Sequence, residues 1–168
     1  MSIIIEGPDH VGKTTLGTRL SKELNLKMVH LGKPEKYPYD FNYFVNALKQ
    51  EYGIWDRFHL GTIVYGMMLK CHENALSFTD FYLLDRLMEW RGDIVVVITA
   101  EKNYLRRRLK EDGKVEMFNT ETILKANRGF KMMAQLTCPM QFEVSEESPF
   151  VTDAFVERII QRWILASR

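Results

Sequence analysis

A glycine-rich stretch near the start of the chain, residues 7–15, has residue types and spacing suited to binding a chain of phosphates. Its first eight residues read G-P-D-H-V-G-K-T, which matches the pattern G-x-x-x-x-G-K-[ST]. Glycines allow the backbone to wrap closely around phosphates, and the N–H groups that follow face the anion. Lys13 would reach the β- and γ-phosphates, and the Thr14 hydroxyl would hold Mg²⁺. This phosphate loop therefore predicts a site for ATP and Mg²⁺.

Two side chains inside the phosphate loop are unusual for an anion site, namely Asp9 and His10. A carboxylate there would repel the donor phosphates unless a metal ion or an acceptor hydroxyl engages it. The partial positive charge of an imidazole suits an anion loop, although phosphoryl transfer does not require it. The residues that we expect to line the nucleotide site are Gly7, Asp9, His10, Val11, Gly12, Lys13, Thr14 and Thr15.

A second candidate pair, Asp56 and Arg57, lies between a short apolar stretch and a helical pattern. An acid at the end of a strand near a phosphate loop can hold Mg²⁺ through water or orient an acceptor. The planar guanidinium beside it is suited to binding a phosphate. The same dipeptide recurs at Asp85-Arg86, which we interpret as a helix-surface pair. A functional role is favoured at Asp56-Arg57, because open α/β sheets bind ligands at the carboxyl ends of their strands.

Short apolar strands and amphipathic helices alternate along the chain and would position these residues. The clearest strand is 93–99, because its unbroken apolar run suits a strand covered on both faces. The other predicted strands are 2–6, 27–31, 53–56 and 140–144. The predicted helices are 14–24, 41–51, 60–70, 79–91, 102–110, 120–136 and one that begins near 152–153, with a possible bend at 127–129. The alternation predicts βαβ units and a three-layer α/β domain with a parallel sheet.

Composition limits the size of the protein and its partners. The 168 residues suit a single domain over 1–168, and 46% hydrophobic with 27% charged residues is ordinary for a globular protein. A net charge of +1 makes stable nucleic-acid binding an unfavoured expectation, although a local basic patch leaves it open. We recognise neither a signal peptide nor an apolar run of about 20 residues that could span a membrane. We therefore expect a cytoplasmic protein with no membrane partner, and reduced thiols at Cys71 and Cys138.

Other classes of nucleotide-binding protein fit the chain less well than small-molecule kinases do. A GTPase would usually carry Asn-Lys-x-Asp after a late strand, whereas the strand here continues Ile98-Thr-Ala-Glu-Lys-Asn103. A motor ATPase would normally be larger. The remaining class is that of kinases that act on small molecules.

Three stretches resemble the thymidylate kinases, a family of nucleoside monophosphate kinases. Residues 5–16 are similar to their phosphate loop, which typically has an aspartate at the position of Asp9, and Asp56-Arg57-Phe58 is similar to their Asp-Arg-aromatic motif. The basic stretch 105–114 follows the fourth strand, where the family places its lid. The resemblance implies a P-loop fold with a five-stranded parallel sheet in the order 2-3-1-4-5, a short lid around 105–118, nucleotide substrates and a possible homodimer.

The resemblance also implies roles for the candidate catalytic residues. Lys13 and Thr14 would hold the donor phosphates and Mg²⁺. Asp9 would lie near the acceptor's sugar hydroxyl or its phosphate–metal network, Asp56 in the metal–water shell, and Arg57 on the acceptor phosphate. One arginine of the run 106–108, for which we take Arg107 as the candidate, would close over the transferring phosphoryl group.

The sequence departs from the family pattern after the second strand, where Arg-Glu-Pro-Gly is replaced by His30-Leu-Gly-Lys-Pro34. It also lacks, at the matching places, the glutamate and the Glu-Arg-Ser of deoxynucleoside kinases. A phosphate acceptor is already a nucleophile, whereas an alcohol usually needs a carboxylate base. We therefore favour transfer to a deoxynucleoside monophosphate, with dTMP first. Transfer to a hydroxyl on a nucleoside, modified base or polynucleotide stays open, as does a nucleotide-gated binding module.

Overall fold

The computed structural model describes residues 1–31, 39–50, 52–70, 76–111, 118–137 and 139–167. The strands are β1 Ile3–Glu6, β2 Met28–His30, β3 Ile54–Asp56, β4 Ile94–Ala100 and β5 Met140–Val144. The helices are α1 Lys13–Leu24, α2 Phe41–Gln50, α3 His59–Thr62, α4 Phe78–Trp90, α5 Lys102–Glu111, α6 Thr120–Thr137 and α7 Asp153–Ala166. A π-helix, Ile63–Met68, continues directly from α3. Each predicted strand and helix is present, and the predicted helix over 60–70 is divided between α3 and the π-helix.

The five strands form one parallel sheet in the order β2-β3-β1-β4-β5, which confirms the predicted fold class. The central strand β1 pairs with β3 so that Ile5 lies opposite Asp56, and with β4 so that Glu6 lies opposite Val97. Since all strands run in the same direction, their carboxyl ends meet at one edge of the sheet. The phosphate loop follows β1 at this edge, and the Asp56-Arg57 pair follows β3 there.

Apolar side chains cover both faces of the sheet, which explains why β1 is buried along its whole length. Ile3 and Ile5 face a core that includes Leu20 of α1 and Ile159 of α7. Ile4 points the other way, into a core shared with residues of α2, α4 and α6. This sandwich of helices, sheet and helices is the predicted three-layer arrangement, and it holds the sheet edge rigidly beneath the candidate site.

The predicted bend at 127–129 is absent, because α6 is continuous from Thr120 to Thr137. Asn127 is buried, and its side-chain amide accepts a hydrogen bond from the Ala100 N–H (2.9 Å) and donates one to the Ala100 carbonyl (2.7 Å). Gly129 gives space to the π-helix, since a Cβ there would lie 2.9 Å from Val64 Cγ1. Asn127 and Gly129 therefore interrupt the apolar pattern because of their contacts with β4 and the π-helix, and the helix does not bend there.

The interpretation of Asp85-Arg86 as a surface pair holds for only one of its members. The two side chains form an ion pair of 3.1 Å, but Asp85 is only 8% exposed, and burial raises the pKa of its carboxyl group. The predicted lid over 105–118 lies partly outside the described residues, and Lys33, Cys71 and Cys138 lie wholly outside them. In the described ranges, no helix is both long enough and apolar enough to cross a bilayer.

Candidate active site

A cavity of about 370 Å³ opens at the carboxyl edge of the sheet and brings most of the predicted site residues together. The phosphate loop forms one wall, and the ends of β2 and β3 form another. The predicted residues that line this phosphate cavity are Asp9, His10, Gly12, Lys13, Thr14, Thr15, Asp56 and Arg57. His30 and Arg108 line it as well. The two motifs that are about 45 residues apart in sequence therefore share one cavity.

The glycines of the phosphate loop are explained by its backbone. Gly7 has φ +147°, and a Cβ there would lie 2.1 Å from the Ile98 carbonyl oxygen, so a side chain is excluded. Gly12 has φ +89°, which glycine adopts at little cost, and it precedes α1 directly. His10 has φ +65°, a conformation that non-glycine residues rarely adopt. Val11 packs into the core and anchors the loop from below.

Lys13, the first residue of α1, is folded back over the loop rather than extended into solvent. Its side chain is 6% exposed, and its ammonium donates a hydrogen bond to the Pro8 carbonyl (2.5 Å). The same ammonium lies 3.8 Å from the carboxylate of Asp9. The positive charge is therefore held on the inner side of the loop, where the motif would place it beside phosphates.

Thr14, Asp56 and His30 meet at one carboxylate oxygen. The Thr14 hydroxyl donates to Asp56 Oδ2 at 2.6 Å, and His30 Nδ1 lies 3.0 Å from the same oxygen. The Asp56 side chain is fully buried, and its Oδ1 has no hydrogen-bond partner within the described chain. Buried carboxylates are normally satisfied, so this oxygen needs another partner. A hydroxyl beside a carboxylate with a free oxygen fits Mg²⁺, which binds through one or two protein oxygens, phosphates and waters.

Asp9 and Arg57 form an ion pair across the cavity, between the phosphate loop and the turn after β3. Arg57 has φ +73°, and its main-chain N–H donates to the Ile5 carbonyl at 2.9 Å. Its Nε finds no hydrogen-bond partner among the residues that the structure describes. The phosphate loop tolerates an acid at position 9 because the Arg57 guanidinium neutralises its charge.

The arginines of α5 point in different directions, and Arg108 rather than the predicted Arg107 lines the phosphate cavity. Arg107 forms ion pairs with Glu146 and with Glu111 (3.4 Å) on the exposed side of the helix, away from the phosphate cavity. Arg108 is half-buried and lines the cavity, and its Nε lacks a partner in the described part of the protein. Consecutive helical positions point about 100° apart, so only one of them can face the cavity.

A second cavity of about 360 Å³ lies on the other side of the phosphate loop and was not predicted from the sequence. Its walls include Tyr104 and Arg108 of α5, and Phe150 and Val151 of the segment between β5 and α7. The Tyr104 hydroxyl donates to the Pro149 carbonyl at 3.0 Å, which joins α5 to that segment. Phe150 is 70% exposed. The only signal in the sequence was an aromatic residue after the last strand, at the same edge of the sheet.

Two fully buried ionisable residues lie below the cavity, Glu6 at the end of β1 and His59 at the start of α3. Burial raises the pKa of Glu6 to about 7, although hydrogen bonds from Leu60, Phe58 and Gly61 and the charge of Lys13 oppose this shift. Burial lowers the pKa of His59 to about 3, so its ring is neutral. The ring stacks on Phe81 with centroids 5.2 Å apart.

No protein-family model and no curated protein sequence matches the chain. Solved structures do match over its length. The YorR protein of Bacillus subtilis, in complex with phosphorylated GDP, is 20% identical with a TM-score of 0.77, over 98% of this chain and 96% of its own. A deoxyadenosine kinase from M. mycoides with bound dCTP is 20% identical (TM-score 0.58, covering 98% and 100%). A thymidylate kinase from Ehrlichia chaffeensis is 17% identical (TM-score 0.52, covering 100% and 98%). The chain therefore has the α/β fold that these P-loop nucleotide kinases share.

Proposed function

We propose that the protein transfers the γ-phosphoryl group of Mg²⁺–ATP to the phosphate of a deoxynucleoside monophosphate, with dTMP as the first candidate. The observation that carries this proposal is the shared cavity, in which the phosphate loop and Asp56-Arg57 face each other. The fold, shared with a thymidylate kinase and a deoxyadenosine kinase, supports phosphoryl transfer to a nucleoside or a nucleotide.

On the donor side, Lys13 and the N–H groups at the start of α1 would bind the β- and γ-phosphates of ATP. Thr14 and Asp56 would hold Mg²⁺, which when bound neutralises charge that develops on the phosphates. The second cavity, beside Tyr104, Arg108 and Phe150, is suited to the donor's base, because aromatic and guanidinium planes stack on nucleobases. Arg108 lines both cavities and so would reach from the base toward the transferring group.

On the acceptor side, Arg57 would bind the monophosphate through its paired N–H donors. A phosphate oxygen is a competent nucleophile at neutral pH, so the site needs positioning and charge neutralisation rather than a base. Asp9 orients the guanidinium from the loop and keeps it within reach of the donor phosphates. Lys13, Arg57 and Arg108 together place three cationic side chains around the cavity.

A second candidate function is transfer to a hydroxyl on a nucleoside, modified base or polynucleotide. The observation that favours it is Asp56, a residue that lines the cavity and whose Oδ1 has no hydrogen-bond partner within the described residues. Such an oxygen could accept a proton from an alcohol. In this reaction Arg57 would lose its role as the acceptor's phosphate-binding residue.

A panel of acceptors, assayed with labelled ATP and Mg²⁺, tests these functions. Purified protein is incubated with each dNMP, each NMP, nucleosides and DNA with a free 5′ hydroxyl, and GTP replaces ATP in a parallel set. We expect label in a deoxynucleoside diphosphate, with dTMP giving the highest rate. Absence of transfer to every monophosphate would refute the proposal, and transfer to a hydroxyl would establish the second candidate.

The variant Arg57→Ala separates the two functions further. A loss confined to phosphate-bearing acceptors supports the first, whereas an equal loss for all acceptors counts against it. A homodimer and a cytoplasmic location stay predictions, for which the mass in solution and the distribution in cell fractions are the measurements.

A further inference from the structure

Glu6 is a buried carboxylate that no step of the proposed reaction uses. It is the last residue of β1, directly before Gly7, and its exposure is 0%. Its carboxylate accepts three hydrogen bonds from main-chain N–H groups, those of Phe58 (3.0 Å), Leu60 (2.8 Å) and Gly61 (3.2 Å). A buried anion of this kind is expensive unless it is well satisfied. The three bonds therefore identify the part of the backbone that the Glu6 carboxylate stabilises.

The three N–H groups belong to the turn that follows Arg57 and to the first turn of α3. The first N–H groups of a helix have no partner within it, and a polar side chain at the N-cap usually accepts from them. Here the N-cap residue is Phe58, which offers no acceptor. Glu6 supplies it from a different strand, more than 50 positions earlier in the sequence.

The conformation of Arg57 needs this support. Its φ of +73° lies in the left-handed region, which is unfavourable for a non-glycine residue and persists only when the surroundings hold it. The Ile5 carbonyl accepts from the Arg57 N–H, and Glu6 accepts from the next N–H along the chain. Two consecutive residues of β1 therefore hold the backbone on both sides of the Arg57 Cα.

We infer that Glu6 is a positioning residue for Arg57, through which the strand that carries the phosphate loop sets the place of the acceptor-binding guanidinium. This inference rests on the proposed function of Arg57. Glu6 does not line the phosphate cavity, so it acts through the turn at 57–61 and not on a substrate. The end of β1 would thus position the phosphate loop through the chain itself and Arg57 through hydrogen bonds.

The ionised form of Glu6 suits this role because a carboxylate only accepts hydrogen bonds. Glutamine has nearly the same shape, but its amide carries two N–H donors, and one of them would face the N–H groups of the turn. Glu6→Gln therefore keeps the packing while it breaks part of the bonding. Lys13 on α1 and His59, whose Nδ1 is 3.9 Å from Glu6 Oε1, are the charged and titratable groups nearest to the carboxylate.

The test is a double-mutant cycle on KM. For Glu6→Gln we expect the KM for dTMP to rise on the order of tenfold, while the KM for ATP changes by less than about twofold. Arg57→Ala should raise the KM for dTMP further, and adding Glu6→Gln to it should have no additional effect. The matched control is Asp85→Asn, another buried carboxylate, which should leave the ratio of the two KM values unchanged.

Equal rises in both KM values, or additive effects in the double variant, would overturn the inference and leave Glu6 a purely stabilising residue. If the unmodified protein fails to phosphorylate any monophosphate, the proposed function fails, and the inference is tested on the backbone instead. The amide resonances of Arg57, Phe58 and Leu60 should then shift in Glu6→Gln and not in Asp85→Asn. Unchanged resonances at these three positions would refute it.

Discussion

The Thr14 hydroxyl donates a 2.6 Å hydrogen bond to Asp56 Oδ2, which joins the first turn of α1 to the end of β3. The bond connects the two motifs identified in the sequence, and it does so at a carboxylate that is fully buried. It brings together the acid and the hydroxyl of the proposed magnesium site, although each comes from a different βα connection. Several consequences of this arrangement can be measured.

Replacing Asp56 with asparagine should impair transfer far more than nucleotide binding. The amide keeps the volume and can still accept from Thr14, but it removes the negative charge that would hold Mg²⁺. We expect kcat to fall on the order of a hundredfold, with a higher Mg²⁺ concentration needed for half-maximal rate. Kinetics over a range of Mg²⁺ concentrations measure both effects. If no phosphoryl transfer is detectable and Asp56→Asn leaves every function of the protein intact, a nucleotide-gated binding module is favoured.

Arg107 and Arg108 form a matched pair for alanine substitution. Arg108→Ala should lower kcat on the order of a hundredfold, because Arg108 lines the phosphate cavity and would contact the transferring group. Arg107→Ala should change kcat by less than about twofold, because its ion pairs with Glu111 and Glu146 are exposed and exposed pairs contribute little. Steady-state rates at saturating ATP and acceptor measure this difference. The reverse order of effects would show that Arg107, not Arg108, acts on the transferring group.

Two glycines of the phosphate loop should differ in their tolerance of alanine. At Gly7 an added Cβ would overlap the Ile98 carbonyl, so Gly7→Ala should lower the free energy of unfolding by more than about 3 kcal/mol. At Gly12 no described heavy atom lies within 4 Å of such a Cβ, so only the positive φ is strained, at about 1 kcal/mol. Urea unfolding of both variants measures the difference. Equal losses would mean that the loop moves to accommodate residue 7.

The stability of the protein should depend on pH through Glu6. Its pKa is about 7 in the folded chain against 4.5 ordinarily, so the folded state binds the Glu6 proton more tightly than the unfolded state does. This contribution to stability is complete below pH 4.5 and is lost as the pH rises to about 7, a change of about 3 kcal/mol. Glu6→Gln should remove it. The free energy of unfolding of Glu6→Gln, measured relative to that of the unmodified protein, should therefore be lower at about pH 5 than at about pH 7.5.

His59 acts in the opposite direction and must be separated from Glu6. Its pKa falls from 6.5 to about 3 on folding, so its contribution is present above pH 6.5 and is lost as the pH falls below that value. For this reason the informative quantity is the difference in the free energy of unfolding between Glu6→Gln and the unmodified protein at each pH, in which the His59 contribution cancels. A difference that is constant between pH 5 and pH 7.5 would contradict the prediction.

Local patterns were enough to predict the strands, the helices and the phosphate loop. The apolar run of β4 and the G-K-T that opens α1 depend on neighbouring residues only, so their structure follows from short-range physics. The position of Asp56 beside Thr14 also followed, because parallel strands end at the same edge. The strand order came from the resemblance to thymidylate kinases and is confirmed by the sheet.

Features that depend on distant partners could not be predicted. The direction of Arg107 and Arg108 is set by how α5 packs through Tyr104 and Leu105, which the run of three arginines does not reveal. The sequence predicted a bend near Asn127 because its hydrogen bonds to Ala100, on β4, are not evident from neighbouring residues. The role of Glu6 is not evident from the sequence, since the three N–H groups that it accepts from lie more than 50 residues later.

The parallel pairing of β1 and β3 has a consequence for how substrate preference can change. Ile5 lies opposite Asp56 in the register, so the turn at 57–61 is joined to the donor side through main-chain pairing and the Glu6 carboxylate. Neither attachment depends on the side chain at position 57. A substitution at position 57 would therefore leave the turn attached to β1, but it would remove the ion pair with Asp9, so the two halves of the proposed site would have to change together at this point.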